Sequence, residues 1–291
     1  MDEFLQFLAS GLTRGSVYAI VGIGFAIIYS ASRVINFAQG EFVMIGGMAT
    51  VVLAAQAGLP LPLAALGAIA LAALVGAALE WVSVDKARDA SPTSVIIITI
   101  GASILVRGIV EVVVGKKDYV LPSFAGDLPV VVGGAAIHPQ SLWVMATLVI
   151  SGALVYYFIY RTMAGKAMLA TSQNAAAAMV VGINSRRVLL QAFSLSAALG
   201  AVAGIVVTPL TLTRFDVGVM LGLKGFCAAI VGGMANPLGA IVGGLSVGLL
   251  EAFAGGYISS AYQDAVAFLV ILFVLLVRPD GLLPSKEVHR V

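Results

Sequence analysis

Charge is what this 291-residue chain has least of. Only 10% of its residues are Asp, Glu, Lys or Arg, against roughly 25% in soluble domains. With 60% hydrophobic residues, that scarcity excludes a soluble globular protein. Cysteine occurs once, at Cys227, which excludes an internal disulfide and a cysteine-rich metal site. The two histidines, His138 and His289, lie far apart in sequence. The net charge of +2 is too small to indicate a nucleic-acid partner. The P-loop pattern GxxxxGK[ST] is missing, so ATP is not hydrolysed by that route, and HExxH is missing too. No apolar run carries an arginine ladder. Nothing reads as an enzyme.

Long apolar runs and 33 glycines are abundant instead. Small residues let helix backbones approach closely in a bilayer, and continuous runs argue against the short alternating strands of a β-barrel. A helix needs about 20 apolar residues to span. The runs place spans at about Leu12–Tyr29, Phe42–Ala57, Leu61–Val84, Ser94–Gly115, Gln140–Tyr160, Val188–Leu210 and Tyr262–Val277. A glycine-rich stretch, Val217–Gly255, is broken by Asn236-Pro237. It reads either as two tight spans or as a re-entrant half-helix plus a span. The expected fold is an all-α polytopic transmembrane bundle of about eight segments, one domain over residues 1–291, with room for broken helices. Ile45–Ala49 and Val231–Ala235 share a weak echo, (I/V)GGMA, of the kind that internal transporter repeats leave.

Basic residues set orientation. The loop Arg161–Arg187 holds Arg161, Lys166, Arg186 and Arg187 without an acid, and the tail holds Arg278, Lys286 and Arg290. Both are expected in the cytoplasm, with the short loop Asp85–Asp89 on the same side and Lys116–Pro139 outside. Counting back puts the N-terminus outside, in keeping with Asp2 and Glu3. The acidic start MDEFLQF lacks the basic region of a cleavable signal peptide, so the first apolar segment is expected to remain.

Polar groups beside hydrocarbon cost several kcal/mol each unless satisfied. Arg33, Asn36, Gln39 and Glu41 stand between the first two spans. They read as a break that lines a path, or as a surface loop with Arg33 as an inside-facing charge. Lys224 precedes Gly225-Phe226 within the glycine-rich stretch; it could meet a substrate carboxylate or snorkel to an interface. Lys166–Met179 is rich in helix formers, with a stop at Gly182 and Asn184. Such a helix suits docking into a groove of another protein, or resting on anionic headgroups. Arg107 and Glu111, four apart, fit an intrahelical pair. Glu80 is expected near the cytoplasmic end of its span, and Glu251 has no evident partner. On these residues alone, a stand-alone secondary transporter using Glu41, Glu251 or Lys224 stays open.

Residues Gly11–Met48, with Asn36-Phe37-Ala38-Gln39-Gly40-Glu41 at their centre, resemble the opening of LivH-type permeases of branched-chain amino acid importers. The glycine-rich pattern between Gly222 and Gly244 and the ending Arg278-Pro279-Asp280-Gly281-Leu282 are similar to that family's, in the same order. Met234-Ala235-Asn236-Pro237 replaces its usual spacer. The resemblance implies an ATP-binding-cassette importer of the bacterial inner membrane. This chain would be one permease half beside a LivM-like mate or a second copy of itself. Two cytoplasmic ATPase subunits would bind ATP, so the chain needs no cofactor of its own. A periplasmic or lipid-anchored binding protein would deliver substrate. The resemblance places the ATPase-coupling helix within Arg161–Arg187, with Gly165, Lys166, Ala167, Ala178 and Gly182 near its core. Asn36, Gln39, Glu41, Lys224 and Phe226 are then candidates for the translocation path. Urea and short-chain amide permeases carry similar motifs, so the implied cargo is a branched-chain amino acid or such an amide.

Overall fold

The computed structural model describes residues 2–84, 91–126 and 128–283. The loop Asp85–Asp89 and the tail residues Lys286, His289 and Arg290 lie outside the described residues. Among those described are eleven α-helices: α1 (Asp2–Ser32), α2 (Gln39–Val51), α3 (Leu61–Leu79), α4 (Pro92–Val113), α5 (Pro139–Arg161), α6 (Met163–Gln173), α7 (Ala175–Val180), α8 (Ser185–Thr211), α9 (Val217–Gly232), α10 (Pro237–Tyr257) and α11 (Gln263–Val277). One hairpin, β1 (Val130–Val132) with β2 (Ala135–Ile137), interrupts the loop before α5. Seven helical segments are long and apolar enough to cross a membrane: α1, α3, α4, α5, α8, α10, and α11 together with the 3₁₀ turn before it, Ser260–Val277; α9 is a shorter apolar helix. The chain is a multi-span membrane protein. α2 continues through a π turn, Val52–Gln56, and α3 through another, Glu80–Val84.

Helix starts follow local chemistry. Ser91 before Pro92, His138 before Pro139 and Asn236 before Pro237 each accept a hydrogen bond from the first turn. Proline suits those starts because the amide it lacks would be unpaired anyway. The glycine-rich stretch resolves into two helices. α9 stops at Gly233, whose φ of +108° a residue with a Cβ resists. Asn236 and Pro237 then restart the chain. Contacts between Gly232 and Gly239, Ala228 and Gly243, and Lys224 and Glu251 make α9 and α10 an antiparallel hairpin.

The bundle centres on α1, α8 and the α9–α10 hairpin. α1 lies antiparallel to α10 through Gly11, Gly15 and Gly248, and α2 runs parallel to α8 through Gly46, Gly200 and Gly204. α4 and α11 are peripheral, with only 11% of each span buried. Gln6 and Asp2 at the start of α1 meet the β-hairpin at Ala136 and Gly134, so that hairpin and the start of α1 share one face. The other face carries the end of α1, α6–α7 and the C-terminal segment: Arg33 donates to the Ser172 carbonyl, and Leu282 and Leu283 donate to the last carbonyls of α9.

Two returns of the chain shape the interior. α1 ends at Arg33 (φ +57°) and α8 at Leu212 (φ +64°), the two described non-glycine residues with positive φ. After each, the chain turns back and launches a new helix inside the bundle. Gln39 reaches Gly24 of α1, eight residues, or about 12 Å at 1.5 Å per residue, before the end of that helix. Gly40 and Gly218, in the first turns of α2 and α9, pack backbone against backbone. The pentapeptides Ile45–Ala49 and Val231–Ala235 differ in conformation: the first lies within α2, the second straddles the end of α9.

Candidate functional site

Where the first turns of α2 and α9 meet, a cavity of about 220 Å³ opens toward α4. Phe25, Phe37 and Phe226 form one wall, with ring centroids 5.6 Å apart for Phe25–Phe226 and for Phe37–Phe226. Glu41, Ser103 and Arg107 supply its polar groups. Neither helix start is closed by a side-chain cap, since the preceding residues are Ala38 and an uncapping Asp216. The positive ends of two helix dipoles therefore face this region. Glu41 sits in the first turn of α2 and is 2% exposed. Its Oε1 accepts a hydrogen bond from Ser103 at 2.7 Å, whereas Oε2 has no hydrogen-bond partner among the described residues.

The expected Arg107–Glu111 pair does not form. Glu111, near the end of α4, binds Lys116 beyond the helix at 2.7 Å. Arg107 instead lines the cavity and acts on Glu41 through its charge. Spacing by four makes two residues neighbours but does not by itself pair them.

Of the sequence candidates, Glu41 and Phe226 line the cavity; Asn36, Gln39 and Lys224 do not. Asn36 is buried and its Oδ1 caps the return by accepting from the Ala38 amide. Gln39 fills a notch above Gly24 and pins the start of α2 to α8: it accepts from Ser196 Oγ at 2.6 Å and donates to the Ser196 carbonyl at 3.2 Å. Lys224 bridges Glu251 at 2.8 Å and Asp264 at 2.7 Å, with the Tyr18 hydroxyl at 3.2 Å. Glu251, fully buried, also accepts from Gln263 and lies 3.6 Å from Arg14. Sequence reasoning missed Phe25, Phe37, Ser103 and Arg107. Only proximity to Glu41 in the fold marks them.

Residues 7–275 match the family described as "Branched-chain amino acid transport system / permease component". The chain is 34% identical to the high-affinity branched-chain amino acid transport system permease protein LivH of Escherichia coli (strain K12), covering 99% of this chain and 98% of that protein. It is 33% identical to the corresponding BraD of Pseudomonas aeruginosa, with the same coverage. The chain belongs to the branched-chain amino acid transport permease family. A more distant likeness, 27% identity over 91% of this chain, reaches the ribose import permease RbsC of Escherichia coli. Among solved structures, PsaBC from Streptococcus pneumoniae in complex with Fab shares the fold, with a TM-score of 0.52 at 15% identity over 94% of this chain and 92% of that one.

In this permease the segment between α5 and α8 forms two short helices. Gly165 seats α6 against the backbone of Phe158 and Ile159, a contact too close for a side chain. Thr162 caps α6 and Asn174 caps α7. Ala167 is half-buried and Ala178 buried, holding the segment to the bundle, while Lys166 and Gly182 are exposed. Met163, Val180 and Val181 are at least three-quarters exposed, an apolar surface at the end of a basic loop.

Proposed function

We propose that this chain is one membrane-spanning half of an ATP-driven importer that carries branched-chain amino acids across the inner membrane. The observation that carries the reading is the near-complete alignment with LivH and BraD at 33–34% identity. A second permease, LivM-like or another copy of this chain, completes the pathway. Two cytoplasmic ATPases bind and hydrolyse ATP, and an external binding protein delivers substrate. The permease itself makes and breaks no covalent bond.

The face bearing α6–α7 is cytoplasmic in this reading, because Arg33, Arg161, Lys166, Arg186 and Arg187 cluster there and cytoplasmic loops are enriched in such residues. The N-terminus and the β-hairpin are then outside. The exposed apolar residues Met163, Val180 and Val181 supply the anchors of a helix-in-groove contact with the ATPase. Gly165, Ala167 and Ala178 fix the coupling segment to the bundle, and Lys166 and Gly182 face the partner. ATP supplies the bias between inward- and outward-facing states, since a substrate binding both equally would shift neither.

The test is uptake of labelled leucine and labelled urea, side by side, by proteoliposomes holding the full importer. ATP-dependent leucine uptake that unlabelled isoleucine suppresses is the expected result. Urea uptake without leucine uptake would replace the cargo, and transport by this chain alone would remove the importer reading. A paired Val180→Glu and Val181→Glu variant is expected to lower ATP-dependent uptake at least tenfold, about 1.4 kcal/mol of coupling. It should leave the unfolding temperature of the isolated permease unchanged, because both side chains are exposed.

A further inference from the structure

We infer that the cavity between the starts of α2 and α9 is a binding subsite for an aliphatic α-amino acid, with Glu41 receiving the ammonium group and Arg107 the carboxylate. This assignment rests on the importer reading and names where the permease itself would hold its cargo. Three observations carry it. Glu41 is 2% exposed yet keeps one carboxylate oxygen, Oε2, without a partner. An unpaired buried acceptor is costly, and an ammonium group would satisfy it. Arg107 lines the same cavity and forms no ion pair among the described residues, because Glu111 is taken by Lys116. Asp216, the other nearby acid, is already held by two hydrogen bonds from Arg214. The cavity is thus lined by a carboxylate that has one unpaired oxygen and by a guanidinium without an ion pair, the complement of a zwitterion.

The remaining wall is apolar. Phe25, Phe37 and Phe226 line it together with Ile100, Ile104 and Leu223, a surface for a branched side chain. The volume of about 220 Å³ falls below the roughly 300–1,000 Å³ of drug-sized pockets, which suits a single small metabolite. The positive end of α9 adds to Arg107 in favouring a carboxylate, while that of α2 falls on Glu41 itself.

The experiment measures binding of tritiated leucine to the assembled importer, this chain with its partner permease and ATPases, in nanodiscs without the binding protein. The wild-type complex is expected to bind leucine saturably. Glu41→Gln and Arg107→Met should each weaken binding at least tenfold, while Glu111→Gln, outside the cavity, leaves it unchanged. Competition on the wild-type complex makes the test independent of how the variants fold. Leucinol, which lacks the carboxylate, and 4-methylvalerate, which lacks the ammonium, should each compete at least tenfold less well than unlabelled leucine. Equal competition by either analogue, or unchanged affinity in both cavity variants, overturns the assignment. ATP-dependent leucine uptake by a complex that binds no leucine without the binding protein also overturns the subsite, while leaving the importer reading intact. A complex that neither binds nor takes up leucine removes both.

Discussion

Replacing Lys224 with methionine is expected to destabilise the permease by several kcal/mol, one of the two largest effects anticipated for a single substitution. Lys224 is 7% exposed and its main partner, Glu251, is fully buried. Removing one member of a buried pair typically costs about 3–5 kcal/mol, because the other charge is left uncompensated. The cost should fall toward the lower end of that range. Arg14, with a side chain 40% exposed, stands 3.6 Å from the same Glu251 oxygen and can take up part of the lost attraction. Asp264, whose side chain is 58% exposed, is screened by solvent, so Asp264→Asn should cost under about 1 kcal/mol. Removing both charges, as Lys224→Met with Glu251→Gln, should recover most of the loss, since no ion then remains buried. Unfolding temperatures of the four proteins in one detergent decide the matter. If Lys224→Met melts no lower than Asp264→Asn, the network does not hold α1, α9 and α10 together as described.

This network shows how far sequence reading reached. The sequence marks Lys224 as costly in an apolar stretch, and it marks Glu251 as unexplained. It cannot join them, because their 27-residue separation becomes contact only through the hairpin at Gly233–Pro237, whose register the glycines set. Most spans were legible, since length and hydropathy suffice for them: Gln140–Tyr160 is observed as Pro139–Arg161, and Ser94–Gly115 as Pro92–Val113. The span expected at Phe42–Ala57 is instead the 13-residue α2 with its π turn, and it is not among the helices long and apolar enough to cross. The two-helix form of Val217–Gly255 follows from Asn236 and Pro237 acting as a helix start rather than a mere kink.

Depth was the part that could not be read. Residues 33–41 place Arg33, Asn36, Gln39 and Glu41 between apolar runs, and such a polar break normally lies at the membrane surface. Here it folds back until Gln39 meets Gly24 and Ser196. Only the missing side chain at Gly24 leaves room for that, and a missing side chain 15 residues away is no local signal. The cavity depends on this return, so Glu41 was legible as a candidate while its companions were not. Arg107 was read as the partner of a neighbour on its own helix because spacing along α4 is visible and the position of α2 is not.

The same reasoning about missing side chains gives the second large effect. Gly204→Val in α8 is expected to prevent the native packing of α2 on α8. A Cβ at Gly204 would overlap the Val43 carbonyl oxygen and lie within 3.0 Å of the Gly47 amide. These are backbone atoms inside a helix, with no rotamer to yield, so the two helices must separate. Overpacking of a well-filled core costs about 1–3 kcal/mol when side chains can adjust; with backbone on the far side the cost should exceed that range. Separation would also unseat Gln39 from Ser196 and widen the cavity bearing Glu41. Gly101 and Gly108 in α4 provide the contrast, since a Cβ at either meets nothing within 4 Å. Alanine there should be neutral or should stabilise by up to about 1 kcal/mol, through the lower helix propensity of glycine. Yield of folded permease and unfolding temperature measure both effects. A Gly204→Val protein that melts with Gly101→Ala would mean that α2 and α8 tolerate separation, and that the close approach of their backbones is not what holds the re-entrant start of α2 in place.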